Sequence, residues 1–155
     1  MSNATAWADD DVVEFVSLTS GGQAFCVEIA HVREIRRWSE VTSLPHASPS
    51  VLGVINLRGA VIPIVDLSLC LGLGPSPSHA RNVVIVASVN SRIFGILVGS
   101  VSEILSIRRD EVRKNPTQMK ENEPNYITGL LTVGDGEMLR ILDLTELVIQ
   151  GPERG

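Results

Sequence analysis

The run Gly53–Leu67, Gly-Val-Ile-Asn-Leu-Arg-Gly-Ala-Val-Ile-Pro-Ile-Val-Asp-Leu, constrains the fold of this chain more than any other stretch. Val54, Ile55, Val61, Ile62, Ile64 and Val65 are β-branched, and their stiff side chains favour a pleated, half-buried backbone. Arg58-Gly59 divides them into the two strands of a hairpin, because Gly59 accepts the positive φ that a short loop demands. Pro63 has no amide hydrogen, so its strand is expected at a sheet edge or bulged at that point. A single cation, Arg58, then stands where the chain reverses between apolar strands. That is a display position.

The remaining segments read as further hairpins. Val12–Leu18 and Ala24–Ile29 flank a turn at Thr19–Gly22, and Asn82–Val89 and Ile93–Val98 flank one at Asn90-Ser91. Tyr126–Val133 and Met138–Leu144 do the same about Gly134-Asp135-Gly136. Val32-Arg33-Glu34-Ile35 is too short for periodicity to separate a helical turn from a bent strand. Arg33, Arg36 and Arg37 beside it are expected to be solvated, with Trp38 covering the edge of the core. Leu67–Leu73 and Thr145–Ile149 are expected as short helices, Ser43–Pro49 as a loop, and Pro75–Ser78 as a linker. Arg108–Glu123 carries five basic and four acidic residues, which nearly cancel, and reads as a solvated excursion holding part of a helix.

The order of these pieces repeats. A hairpin followed by Val-Arg-Glu-Ile (32–35) recurs as a hairpin followed by Val-Ser-Glu-Ile (101–104), and Val-Asp-Leu (65–67) recurs as Leu-Asp-Leu (142–144). Two copies are too few for a solenoid, so two small packed barrels are the simpler architecture. The expected division is a disordered leader over 1–11 and one domain over 12–150. Within it, subdomain one covers about 12–74 and subdomain two about 79–150.

With 155 residues the chain is long enough to bury a substantial core. Its net charge of −5 argues against binding a phosphate backbone or an anionic membrane surface. The polar, acidic start has no basic head followed by an apolar stretch, so no secretory signal is expected, and a cytoplasmic protein is. Cys26 and Cys70 both lie in apolar surroundings, and two reduced buried thiols are expected over a disulfide.

Catalytic arrangements are unsupported. His31, His46 and His79 lack the spacing that puts two metal ligands on one helix face, so no metal site is expected. Cys26 has no basic neighbour to make it a thiolate nucleophile. Ser78, His79 and Arg81 form no triad segment, and no phosphate-cradling glycine loop occurs, so no cofactor is expected. Asp66 and Asp143 are the one pair with acid–base potential, but each ends an apolar strand, where aspartate caps the helical turn that follows. Around Arg58, by contrast, Asn56 can brace the loop and Gly59 allows close approach of another backbone. Arginine is also enriched at protein interfaces. These residues favour a binding module over an enzyme.

Asn56-Leu57-Arg58-Gly59 with Val61-Ile62-Pro63-Ile64-Val65-Asp66-Leu67 closely resembles the signature of the CheW family of bacterial chemotaxis coupling proteins. Further matching segments run in order from about Glu14 to Val148: Val32–Ile35, Asn82–Val86, Val101–Ile104, Tyr126–Leu130 and Leu142–Leu144. The resemblance implies a mainly β fold of two intertwined, five-stranded SH3-like barrels with short helices. It implies a non-catalytic adaptor joining the cytoplasmic tip of chemoreceptors to the regulatory domain of a CheA-type histidine kinase, in the cytoplasm and recruited to membrane-associated receptor arrays. The same module could serve a pathway controlling pili, biofilm or a second messenger. Carried over residue by residue, the receptor site falls on Arg58, Asn56, Gly53, Val32 and Glu34, and the kinase face on Val16 and Ile29. Gly99 departs from the pattern, since relatives often carry an acidic residue there.

Overall fold

A computed structural model describes residues 11–39, 41–43, 50–76, 82–114, 126–134 and 136–150. The strands are β1 (Val12–Ser20), β2 (Gln23–Glu28), β3 (Val32–Arg37), β4 (Val51–Leu57), β5 (Ala60–Asp66), β6 (Val83–Val89), β7 (Arg92–Val98), β8 (Ser100–Arg108), β9 (Arg113–Lys114), β10 (Ile127–Val133) and β11 (Glu137–Leu142). Among the described residues the short helices α1 (Leu67–Cys70) and α2 (Leu144–Gln150) and the 3-10 turns Ile29–His31 and Arg109–Glu111 join them.

The strands form two sheets. One has the order β9-β10-β11-β2-β1-β8 and the other β3-β6-β7-β5-β4. Set side by side, β10-β11-β2-β1-β8 and β4-β5-β7-β6-β3 are the same arrangement. Each has one parallel contact, β11 with β2 and β5 with β7. The register agrees too: Phe25 lies opposite Leu18 as Phe94 lies opposite Ala87. The repeat in the sequence is therefore a repeat of structure, but the two copies exchange hairpins.

This corrects the expected subdomain boundary. The sheets do not part the chain at 74–79. One unit combines residues 12–28 with 100–142, and the other is the continuous stretch 32–98. The crossing point is the 3-10 turn at Ile29–His31, which lifts the chain from β2 into β3 of the other sheet. Local patterning specifies a hairpin but not which neighbour completes its sheet, and burial decides that.

Three apolar clusters hold the molecule together. The largest joins the facing sides of both sheets, with Val16, Leu18, Phe25 and Val27 from one and Val65, Ile85, Phe94 and Ile96 from the other, closed by Leu144 and Leu147 of α2. Val13, Phe15, Cys26, Leu131, Leu139 and Ile141 fill one barrel. Leu57, Ile62, Ile64, Val84, Val86 and Leu97 fill the other, with Trp38 packed at its edge as expected. Alternate residues of each central strand feed alternate cores, which is why these strands read as continuous apolar runs.

Several boundaries differ from the sequence reading. The segment around Val32 is both alternatives in succession, a 3-10 turn and then a strand bulged between Val32 and Glu34. Pro63 lies in an interior strand, yet β7 pairs with β5 only from Ile64 to Asp66, so nothing there demands the missing amide hydrogen. α1 is shorter than Leu67–Leu73, and the last strand stops at Leu142 because Asp143 caps α2. Within Arg108–Glu123 the described part is a 3-10 turn and the two-residue β9. The leader over 1–10, His46, Pro77 to Arg81, and the rest of that excursion lie outside the described residues.

Candidate functional site

Arg58 sits at the first position of the two-residue turn between β4 and β5, with φ +52°, followed by Gly59 at φ +90°. A non-glycine residue in this left-handed region is uncommon, and the conformation needs support. Asn56 provides it, because its Oδ1 accepts the Gly59 amide at 3.1 Å. The arginine is well exposed, and its Nη2 donates to Glu34 Oε1 at 2.5 Å. Arg36 Nη1 binds the other carboxylate oxygen of Glu34 at 3.0 Å. Hydrogen bonds from Arg58 and then Arg36 hold the Glu34 carboxyl below its usual range.

Glu34 belongs to β3 and Arg58 to the tip of β4, the two opposite edges of one sheet. The pair therefore bridges the seam where that sheet curls into a barrel. A backbone bridge between Thr42 and Val54 crosses the same seam, at 2.8 and 2.9 Å. Ile35, next to Glu34, turns its side chain out and is 46% exposed. A fixed cation, its carboxylate partner and a braced turn thus share one rim, with Ile35 exposed on the other face of β3.

Of the residues carried over from the family pattern, the structure brings Arg58, Asn56 and Glu34 together. Gly53 has a different task. A Cβ there would lie 2.2 Å from the carbonyl oxygen of Thr42, so the glycine lets the seam close. Its counterpart Gly129 meets Arg113 O at 2.7 Å in the other unit. Val32 is half-buried against the shared core rather than displayed. Val16, the other residue expected on the kinase face, is 2% exposed and lies inside that core. Ile29 packs half-buried against the same core. Arg36, expected to be solvated, instead binds Glu34 and is part of the site. Its alternation with Glu34 on one side of β3 was the available signal.

The alternative chemistry has no footing in the geometry. Asp66 is buried and caps α1 through Ser68 N at 3.1 Å, while Ser76 donates its amide at 2.8 Å and its hydroxyl at 2.6 Å. Asp143 accepts from Glu146 N at 3.2 Å. Both carboxylates are committed to helix starts. Cys26 and Cys70 are free thiols packed against different clusters, and burial pushes Cys26 up to about 12. Among the described residues no three metal-ligating side chains gather, and no helix is long and apolar enough to cross a membrane.

Fold and site together define a module of two strand-exchanged small barrels with a braced, ion-paired turn at the seam of one. The family model for the CheW-like domain matches residues 14–150. This chain belongs to the CheW family. It is 42% identical over 144 residues to a chemotaxis protein CheW of Rhizobium meliloti, covering 93% of this chain and 92% of that one. It is 33% identical over 135 residues to one from Klebsiella aerogenes, covering 87% of this chain and 81% of that one. The crystal structure of the scaffolding protein TtCheW from Thermoanaerobacter tengcongensis superposes with a TM-score of 0.80 at 22% identity, over 92% of this chain and 97% of that one. That likeness bears on the fold, including the two SH3-like units.

Proposed function

We propose that this chain is a non-catalytic adaptor in chemotaxis, joining the cytoplasmic tip of chemoreceptors to the regulatory domain of a CheA-type histidine kinase. The observation that carries this reading is the Arg58–Glu34–Asn56 cluster, displayed on a braced turn at the seam of a CheW-like domain. A receptor tip is a helical hairpin, and an apolar rim with one fixed cation suits a helix laid across it. The kinase contact belongs on the outer side of the first hairpin around Ile29. Val16 contributes to it only by holding that hairpin in place. The protein changes no bond. It keeps receptor and kinase in register at the membrane-associated array, so that a bias in one conformation becomes a bias in the other.

The test is direct binding of the full chain to a receptor signalling-tip fragment and, separately, to the kinase regulatory domain. Arg58→Glu is expected to abolish the first and spare the second, with unchanged thermal unfolding. Unchanged receptor binding by this variant would refute the assignment of Arg58.

A further inference from the structure

Glu34 offers two carboxylate oxygens, and two arginines divide them. Arg58 Nη2 donates to Oε1 at 2.5 Å and Arg36 Nη1 donates to Oε2 at 3.0 Å. The strand register sets both β3 residues on one face: Glu34 lies opposite Val86 and Arg36 opposite Val84, and both valines belong to the barrel cluster. The duplicated unit tests what the fold needs there. Where β3 reads Val32-Arg33-Glu34-Ile35-Arg36, β8 reads Val101-Ser102-Glu103-Ile104-Leu105. Leu105, opposite Phe15, packs against the other barrel cluster, and the tip that corresponds to Arg58 begins with Gly134. Glu103 is exposed and joins no ion pair among the described residues. The glutamate recurs in both units; its two arginines do not. The fold accepts a leucine where Arg36 stands, so the arginine answers another need.

We infer that Arg36 is a positioning residue for Arg58: by occupying Oε2 of Glu34 it confines that carboxylate to a single bond with the turn-tip arginine, whose remaining donors stay available to a partner. A guanidinium carries its N–H groups in a fixed fork, and a free carboxylate closes on two of them in parallel. Here one oxygen is already held, so the pair is single. Among the described residues the Arg58 guanidinium makes one hydrogen bond, and its side chain is 71% exposed against 36% for Arg36. Arg58 thus has a fixed direction and unspent donors in solvent. The inference rests on the proposed docking role of Arg58 and says how that residue is kept ready for it.

Without Arg36 the second oxygen turns to Arg58, and a partner must open that fork before it can use the arginine. Exposed ion pairs are weak, so the penalty is modest, about two- to fivefold in affinity. A lysine at position 36 would carry a charged donor able to hold Oε2 in the same way. The position therefore requires a cation rather than the guanidinium shape. If Arg36 instead touched the partner itself, the cost of losing it would not depend on Glu34.

The test begins with the free full-length chain. Rotation of the Arg58 guanidinium about its Nε–Cζ bond, read by nitrogen NMR of the arginine side chains, is expected to be fast in wild type and in Arg36→Lys. In Arg36→Leu it should be several-fold slower, at the wild-type melting temperature that Leu105 in the equivalent place implies. An unchanged rate in Arg36→Leu overturns the inference and leaves the docking reading untouched. Binding of a receptor signalling-tip fragment is then measured for the same variants, alone and combined with Glu34→Gln. Arg36→Leu is expected to weaken binding about two- to fivefold, Arg36→Lys to preserve it, and Arg36→Leu to change nothing once Glu34→Gln is present. Equal losses with and without Glu34→Gln would make Arg36 a contact and overturn its positioning role. If Arg58→Glu abolishes binding while Arg36→Leu matches wild type, the inference falls and the docking reading stands. If Arg58→Glu leaves binding intact, both fall.

Discussion

Gly53→Ala separates scaffold from contact at a position that the family pattern alone places in the receptor site. The added methyl would lie 2.2 Å from Thr42 O and 2.7 Å from Thr42 C, and both are backbone atoms. They cannot step aside, because Thr42 O accepts Val54 N at 2.8 Å and Thr42 N donates to Val54 O at 2.9 Å. Gly53 also has φ +153°, a conformation L side chains rarely adopt. Overpacking costs about 1–3 kcal/mol and the backbone strain about 1 more, or roughly 2–4 kcal/mol in all. For a domain of this size that lowers Tm by about 5–15 °C. Gly129→Ala is the matched control. Its nearest obstacle, Arg113 O at 2.7 Å, belongs to a strand of two residues that can shift, and the loss should be about half as large. Differential scanning calorimetry of both variants, with receptor binding measured well below each Tm, checks the reasoning. A Gly53→Ala protein with wild-type Tm and weakened receptor binding would refute it, and would return Gly53 to the contact surface.

Val16→Ala removes two methyl groups from the shared core and should destabilise by about 2 kcal/mol, seen as a lower urea midpoint at constant m-value. Kinase binding in the cold should not change, whereas a surface role would reverse that order. Asp66→Ala strips the cap of α1 and both bonds to Ser76, for a loss of about 1–3 kcal/mol in thermal unfolding. Asp143→Asn keeps a capping oxygen and should be close to neutral. For Glu34 the folded-state pKa lies below the unfolded one, because Arg58 and Arg36 hydrogen-bond the charged form. Its stabilising contribution is present above the unfolded glutamate value near ~4.3 and is lost as pH falls through the folded value. The Tm difference between wild type and Glu34→Gln should accordingly be flat at neutral pH and vanish in acid. A difference that grows on acidification would contradict the pairing.

The amino-acid sequence by itself determined the hairpins, their turns, the duplicated order of elements and the caps at Asp66 and Asp143. These depend on residues close in the chain: β-branched runs, positive-φ turn positions, and a carboxylate just before a helical turn. It also marked Arg58 and Asn56, because a cation and an amide beside a Gly turn are local features. Tertiary structure alone decided which sheet each hairpin completes. The 3-10 turn at Ile29–His31 carries β3 away from β2, so each half is finished by a hairpin of the other. It decided as well that Val16 and Val32 serve the core, that Gly53 admits Thr42, and that Glu34 reaches Arg58 across the seam. An alternating apolar strand says that one face is buried without saying against what. In this fold both faces of the central strands are buried, and the answer comes only when two sheets meet.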